Sequence, residues 1–174
     1  MLSCFFGHQQ AVDMKKGGML MQSDRSELDR FDQAILRVLA AEGRISATEL
    51  ARRIGLSKSP TQARMKRLEE AGTIVGYRAL LDVLQMGLAH VAFVEVRLSD
   101  TREAALQAFN AAVLGIAEVE QCHMIASRFD YLLKVRTRDI QHYRQVLAEK
   151  LSALPHVAST STYVAMEAVK DAGV

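Results

Sequence analysis

Apolar positions along this chain change their spacing near residue 80. Before that point they recur every three or four residues, the helical period. Over residues 26–41 the series Leu28, Phe31, Ile35, Val38, Leu39 predicts an amphipathic helix, closed by Gly43. Ser46-Ala47-Thr48-Glu49 fits a capping box and predicts a short helix over 47–54, with Leu50, Ala51 and Ile54 inward. Gly55-Leu56-Ser57 interrupts it. A third helix runs to about residue 71, with Ser57 or Ser59 as its N-cap, Pro60 in its first turn and Gly72 as its stop. Three helices with a tight turn between the last two make a helix-turn-helix. Residues 73–78 form a short β-like run, read as a wing or the start of a linker. Residues 1–22 show no periodicity and read as a disordered extension.

After residue 80 alternation appears. Strands are expected over 90–98, 116–126, 129–137 and 157–167, with helices over 101–113 and 139–154. The order β-α-β-β-α-β is the ferredoxin-like arrangement. Two helices cover one face of such a four-stranded sheet, and no element remains for the other. A second copy of the chain is the economical cover, since dimers are the commonest oligomer. The fold class is therefore α+β: a winged helix-turn-helix at 23–78, a linker at 79–89 and a ferredoxin-like sensor domain at 90–174.

Composition narrows the function classes. The chain has 174 residues, 49% hydrophobic and 24% charged, which is globular usage and not that of a disordered chain. No apolar run approaches the ~20 residues of a membrane span. Cys4 and Cys122 are the only cysteines, and the histidines lack ligand spacing, so zinc-site and disulfide-framework readings lose their basis and a reducing cytoplasm is the expected location. No metal or resident cofactor is expected. The net charge of +2 hides an asymmetry: residues 23–78 carry +3 and residues 79–174 carry −2. Arg52, Arg53, Lys58, Arg64, Lys66 and Arg67 lie in one stretch that holds no acidic residue. A basic stripe on a near-neutral protein points to a polyanion, double-stranded DNA being the natural partner of a helix-turn-helix.

The candidate DNA-binding residues are Ser57, Lys58, Ser59, Thr61, Gln62, Arg64, Lys66 and Arg67. Hydroxyls and free N–H groups at a helix start bind phosphate. Gln62 and Arg64 are residue types that read adenine and guanine edges, whereas Lys66 and Arg67 suit phosphate. Helical spacing places Ala63 and Leu68 inward and Lys58, Ser59, Thr61, Gln62, Arg64 and Arg67 outward.

Six segments, in order, resemble a known family. Leu28-Asp29-Arg30-Phe31-Asp32-Gln33-Ala34-Ile35-Leu36 is similar to the "LD-x-x-D-x-x-IL" opening of Lrp/AsnC (feast/famine) transcription regulators. Glu42–Ser46, Glu49–Ala51, Gly55–Pro60 and Arg67–Tyr77 match the motifs that follow, and Phe129–Leu133 resembles the family's "DYLL" strand. The resemblance spans about residues 26–170. It implies a winged-helix DNA-binding domain and a ferredoxin-like sensor, dimers that assemble into octamers or other rings, and an amino-acid effector bound between dimers near the loop before "DYLL". Carried over, the effector loop is 124–130, with Met124, Ala126, Ser127, Phe129 and Asp130 as candidate effector-binding residues. The family usually has glycine where Ser127 stands; glycine allows a left-handed backbone and close approach to a ligand. Gln121–Met124, 129–137 and 154–163 resemble the branch that activates proline dehydrogenase genes, which makes proline the first effector to expect.

Enzymatic chemistry finds no support. Cys122 and His123 are neighbours in a strand and point to opposite faces, so no nucleophile–base–orienter set can be assembled. The expected function is a sequence-specific transcription regulator whose assembly or operator affinity responds to an amino acid. The alternative is an effector-independent architectural DNA binder of the nucleoid, for which the Ser127 departure speaks.

Overall fold

The computed structural model describes residues 28–170, which divide into two compact units between residues 80 and 81. The expected extension at 1–22, the expected helix start at 26–27 and the last four residues lie outside the described residues.

The first unit is three helices: α1 (Arg30–Ala41), α2 (Ala47–Ile54) and α3 (Lys58–Glu70). The cap of α1 is Asp29, whose Oδ1 accepts the N–H groups of Phe31 and Asp32 at 2.8 and 2.9 Å. Asp32 returns the contact, its Oδ2 accepting the Asp29 N–H at 3.2 Å, so two aspartates close the capping box. Helix α2 has the expected bounds. Ser46 Oγ accepts the Glu49 N–H, and Gly55, at φ 74°, ends the helix in a left-handed conformation. Ile35, Leu50 and Leu68 are buried at the centre, with Leu39, Ile54, Met65 and Ile74 packed around them. Residues 73–78 form no strand. The N–H groups of Thr73 and Ile74 bond back to the Leu68 carbonyl at 2.9 and 3.0 Å, closing the end of α3, and Val75 is almost wholly exposed.

The second unit holds β1 (His90–Leu98), α4 (Glu103–Val113), β2 (Val119–Met124), β3 (Tyr131–Thr137), α5 (Ile140–Val146) and β4 (Val157–Val164). The single helix expected over 139–154 changes its hydrogen bonding part-way: α5 passes into a π-helical turn at Leu147–Leu151. The sheet order is β2-β3-β1-β4 with every pairing antiparallel, the ferredoxin-like order. Alternation decides the faces. Ala92, Val94, Val96 and Leu98 of β1 and Tyr131, Leu133 and Val135 of β3 point to the helices, where Phe109, Val113, Tyr143, Val146 and Leu151 bury them. Phe109 and Tyr131 stack with ring centroids 4.4 Å apart. The opposite face carries Phe93, Glu95 and Arg97 on β1, Lys134 and Arg136 on β3, and Tyr163 on β4, which pairs in register with Phe93. Phe93 and Tyr163 are exposed there. Glu120 ties both cations of β3, reaching Lys134 Nζ at 3.1 Å and the Arg136 guanidinium.

Candidate nucleic-acid interface and effector loop

Helix α3 begins after Ser57, whose backbone is extended and whose side chain makes no capping bond. Its hydroxyl and the free N–H groups of the first turn therefore remain open to an acceptor from outside. Lys58, Ser59, Gln62 and Arg67 are exposed, as expected, and Lys66 is exposed with them. Three positions differ from the sequence reading: Thr61, Ala63, and Arg64, which is expected outward but is half-buried. Thr61, expected outward, is fully buried, and its Oγ1 donates to the Ser57 carbonyl at 2.9 Å. Ala63, expected inward, is exposed. The reason is the helical phase: Thr61, Met65 and Leu68 share the inward face with Ile35 and Leu50. That leaves Ser59, Gln62, Ala63 and Lys66 as one outward stripe at i, i+3, i+4 and i+7.

The basic stretch is not an unpaired stripe. Carboxylates from outside it meet five of its six cations, four of them within 3.0 Å. Arg52 bonds Glu49 at 2.7 Å, and Arg53 bonds Glu42 at 2.5 Å and Glu49 at 3.0 Å. Hydrogen bonds from Arg52 and then Arg53 hold the Glu49 carboxyl down to about 2. On α3, Arg64 Nη1 lies 2.7 Å from Asp29 Oδ2 and 2.9 Å from Asp32 Oδ1, and Arg67 Nη2 lies 2.6 Å from Asp32 Oδ2. Asp32 is only 1% exposed. The Asp29 carboxyl lies below its ordinary value, chiefly because it accepts the Asp32 N–H, with Arg64 beside it. Lys66 has a long contact to Glu70 at 3.5 Å, both exposed, and Lys58 has no carboxylate partner among the described residues. Asp29 and Asp32 escaped the sequence reading as site residues. A double-aspartate capping box looks like helix punctuation until the fold brings α3 alongside.

The effector loop connects β2 to β3. Met124, Ala126, Ser127 and Arg128 are exposed; Phe129 and Asp130 are half-buried. The loop is pinned by Ile125 N–H to the Asp130 carbonyl at 2.8 Å and by Asp130 N–H to the Val96 carbonyl at 2.9 Å. Asp130 Oδ2 accepts the Leu98 N–H at 2.7 Å, where the β1–β4 register shifts. One carboxylate oxygen is thus structural. Its partner, Oδ1, accepts no protein hydrogen bond among the described residues. Ser127 costs no backbone strain: His156, at φ 62°, is the one non-glycine described residue in the left-handed region. Arg128 reaches back toward Glu95, Nη2 to Oε1 at 3.4 Å.

Cys122 pairs with Leu133 and packs against the core, while His123 pairs with Leu132 on the other face. Burial pushes the Cys122 thiol up to about 11, away from a nucleophilic thiolate. Among the described residues no helix is long and apolar enough to cross a membrane.

Comparison with known proteins places both units. A model described as winged helix-turn-helix DNA-binding matches residues 28–75, and one described as the Lrp/AsnC ligand binding domain matches residues 91–174. The chain is 61% identical over 142 residues to the proline dehydrogenase transcriptional activator of Rhodobacter capsulatus, covering 82% of this chain and 92% of that protein. It is 57% identical over 148 residues to the protein of the same name from Rhizobium radiobacter, covering 85% and 95%. The solved complex of the Neisseria meningitidis transcriptional regulator NMB0573 with L-Met superposes with a TM-score of 0.78 at 31% identity, covering 83% of this chain and 93% of that one. A DNA-binding helix-turn-helix joined to a ferredoxin-like ligand-binding domain, at this identity and over this length, leaves one assignment: the chain belongs to the Lrp/AsnC family of transcription regulators.

Proposed function

We propose that this protein binds double-stranded DNA through α3 and that an amino acid bound at the 124–130 loop controls that binding, with proline the first ligand to test. The observation that carries the reading is the α3 surface. An uncapped, hydroxyl-bearing N-terminus opens onto a polar and cationic stripe, which is what a major groove and its phosphates require. Lys58 and Ser57 take phosphate, and Ser59, Gln62 and Lys66 face base edges. The effector's ammonium meets Asp130 Oδ1, and its carboxylate lies toward Arg128. Proline is favoured because the two most identical relatives above are named for proline dehydrogenase activation.

The protein acts as a dimer or a higher assembly. The exposed Phe93–Tyr163 pair on the helix-free sheet face is the surface for a second copy, and assembly sets the spacing of two α3 helices on successive grooves. Regulation requires the ligand to bind two assembly states with different affinity. The cytoplasm, where the DNA lies, is the working compartment.

The test is a thermal-shift screen of the full chain against the twenty amino acids. A ligand that binds only the folded state at ~100 times its Kd adds ~2.7 kcal/mol. A hit, followed by a change in DNA affinity with that amino acid present, supports the reading. DNA binding that no amino acid alters turns the assignment toward the architectural alternative.

A further inference from the structure

We propose that Arg64 and Arg67 are positioning residues, held by the Asp29–Asp32 pair, and that the base sequence is read by the Ser59, Gln62, Ala63 and Lys66 stripe. The proposal rests on the reading of α3 as the DNA-binding helix and says which side of it does the reading.

Charge geometry carries the inference. Arginine is the residue type most often found reading guanine, and by composition alone Arg64 is the natural reader. Its guanidinium is otherwise engaged. One nitrogen, Nη1, spans two carboxylates, Asp29 at 2.7 Å and Asp32 at 2.9 Å, and the group lies over the Phe31 ring at 5.4 Å. Its side chain is only 27% exposed. Arg67, one turn on, takes the second oxygen of Asp32 at 2.6 Å. Asp32 thus sits 1% exposed between two guanidiniums and also caps its own helix through the Asp29 N–H.

A buried carboxylate with this many partners is expensive to disturb. Pulling Arg64 toward a base would strip the buried Asp32 carboxylate of one of its two cations. The network therefore fixes the roll of α3 against α1, and that roll decides which residues face outward. The stripe opposite the network is Ser59, Gln62, Ala63 and Lys66. Gln62 supplies the paired donor and acceptor that suit adenine, and Ala63 supplies a methyl that suits thymine.

The experiment uses the full chain and a random-sequence duplex DNA library, from which wild-type protein selects a preferred site. Asp32→Asn is then compared with wild type on that site and on a scrambled duplex, across a salt series. Loss of the buried charge frees Arg67 for phosphate. The salt slope should steepen by about 0.9, the value for one newly neutralised phosphate. Scrambled-DNA affinity should hold or rise while preferred-site affinity falls, so the ratio drops by about tenfold, the size of one lost base contact. Destabilisation alone would instead lower both affinities together with no change in slope, and that result overturns the proposal.

Arg64→Lys provides the second arm, and decides alone if Asp32→Asn fails to fold. It keeps the charge but not the planar fork. The proposal expects any loss of preference to be spread over the base pairs that the stripe reads, as a change in roll would spread it. Loss of discrimination confined to one base pair would show that Arg64 reads it, and would overturn the proposal. A wild-type protein that selects no sequence at all defeats the DNA-reading assignment itself, a failure distinct from either of these.

Discussion

The two units solve the same problem, holding a functional surface in place, by different physics. The second unit does it with apolar burial. Thirteen residues from two helices and the inner face of the sheet form one dry cluster, and the polar loop at 124–130 hangs from its edge by backbone bonds and one carboxylate. Among the described residues, the apolar core of the first unit is three enclosed side chains, Ile35, Leu50 and Leu68. A core that small orients a helix loosely, because apolar contact is non-directional. Directional groups supply the rest: caps at Asp29 and Ser46, and carboxylate–guanidinium pairs between helices. The comparison teaches that the charge-rich unit is not merely advertising affinity for DNA. Much of its charge is spent internally, and the surface left over is narrower than the composition suggests.

The sharpest way to test the contrast is to damage each unit in its own currency. Phe109→Ala removes a fully buried ring that stacks on Tyr131, and should destabilise the second unit by about 3–5 kcal/mol. Thermal melts of the full chain would show this, and a loss under ~1 kcal/mol would mean the apolar cluster is not what holds the sheet. Next in size, Asp130→Ala leaves the Leu98 N–H without its acceptor and should cost about 1–3 kcal/mol, besides removing the amino-acid response. Asp130→Asn retains an acceptor and should recover most of the stability but not the response. If both variants respond normally, Asp130 is a structural residue only.

Smaller effects belong to the first unit. Ser46→Ala should cost about 1 kcal/mol through loss of the Glu49 cap, measured by urea denaturation. The pH dependence follows from the depressed carboxyls of Asp29 and Glu49. A carboxyl whose folded pKa lies below its unfolded value stabilises the fold above the unfolded value, and that stability is lost as pH falls through the folded one. Glu49 falls from an ordinary 4.5 to about 2, so melting of the helical unit should weaken steadily over that window and should be salt-sensitive, since both groups are exposed. A melting temperature flat across it would mean these pairs contribute nothing in solution. Smallest of all, Cys122 in a Cys4→Ser background should alkylate far more slowly than free cysteine at pH ~8, because burial keeps its thiol protonated.

Chain-local pattern was enough for the element order, the bounds of α2 and β1 and the ferredoxin-like topology, and the ordered motifs were enough for the family. The elements are written in local spacing: Ser46 three residues before Glu49, Gly55 after Ile54, and an apolar run over 91–94 that passes into alternation through Leu98. Local spacing also predicted that Cys122 and His123 would part to opposite faces, and they do. Its errors were errors of phase and of partner. Thr61 and Ala63 exchange faces because a helix of low apolar contrast does not announce which side it buries; packing on Ile35 and Leu50 settles it. The 73–78 run reads as β, yet its first two N–H groups close α3. The pairing of Arg64 and Arg67 with Asp29 and Asp32 joins residues more than thirty positions apart, and Asp130 meets Leu98 across a similar gap. No periodicity encodes such contacts. Spacing along a chain specifies which way a side chain points from its own element, while the charge it meets there is set by whichever element tertiary packing brings alongside.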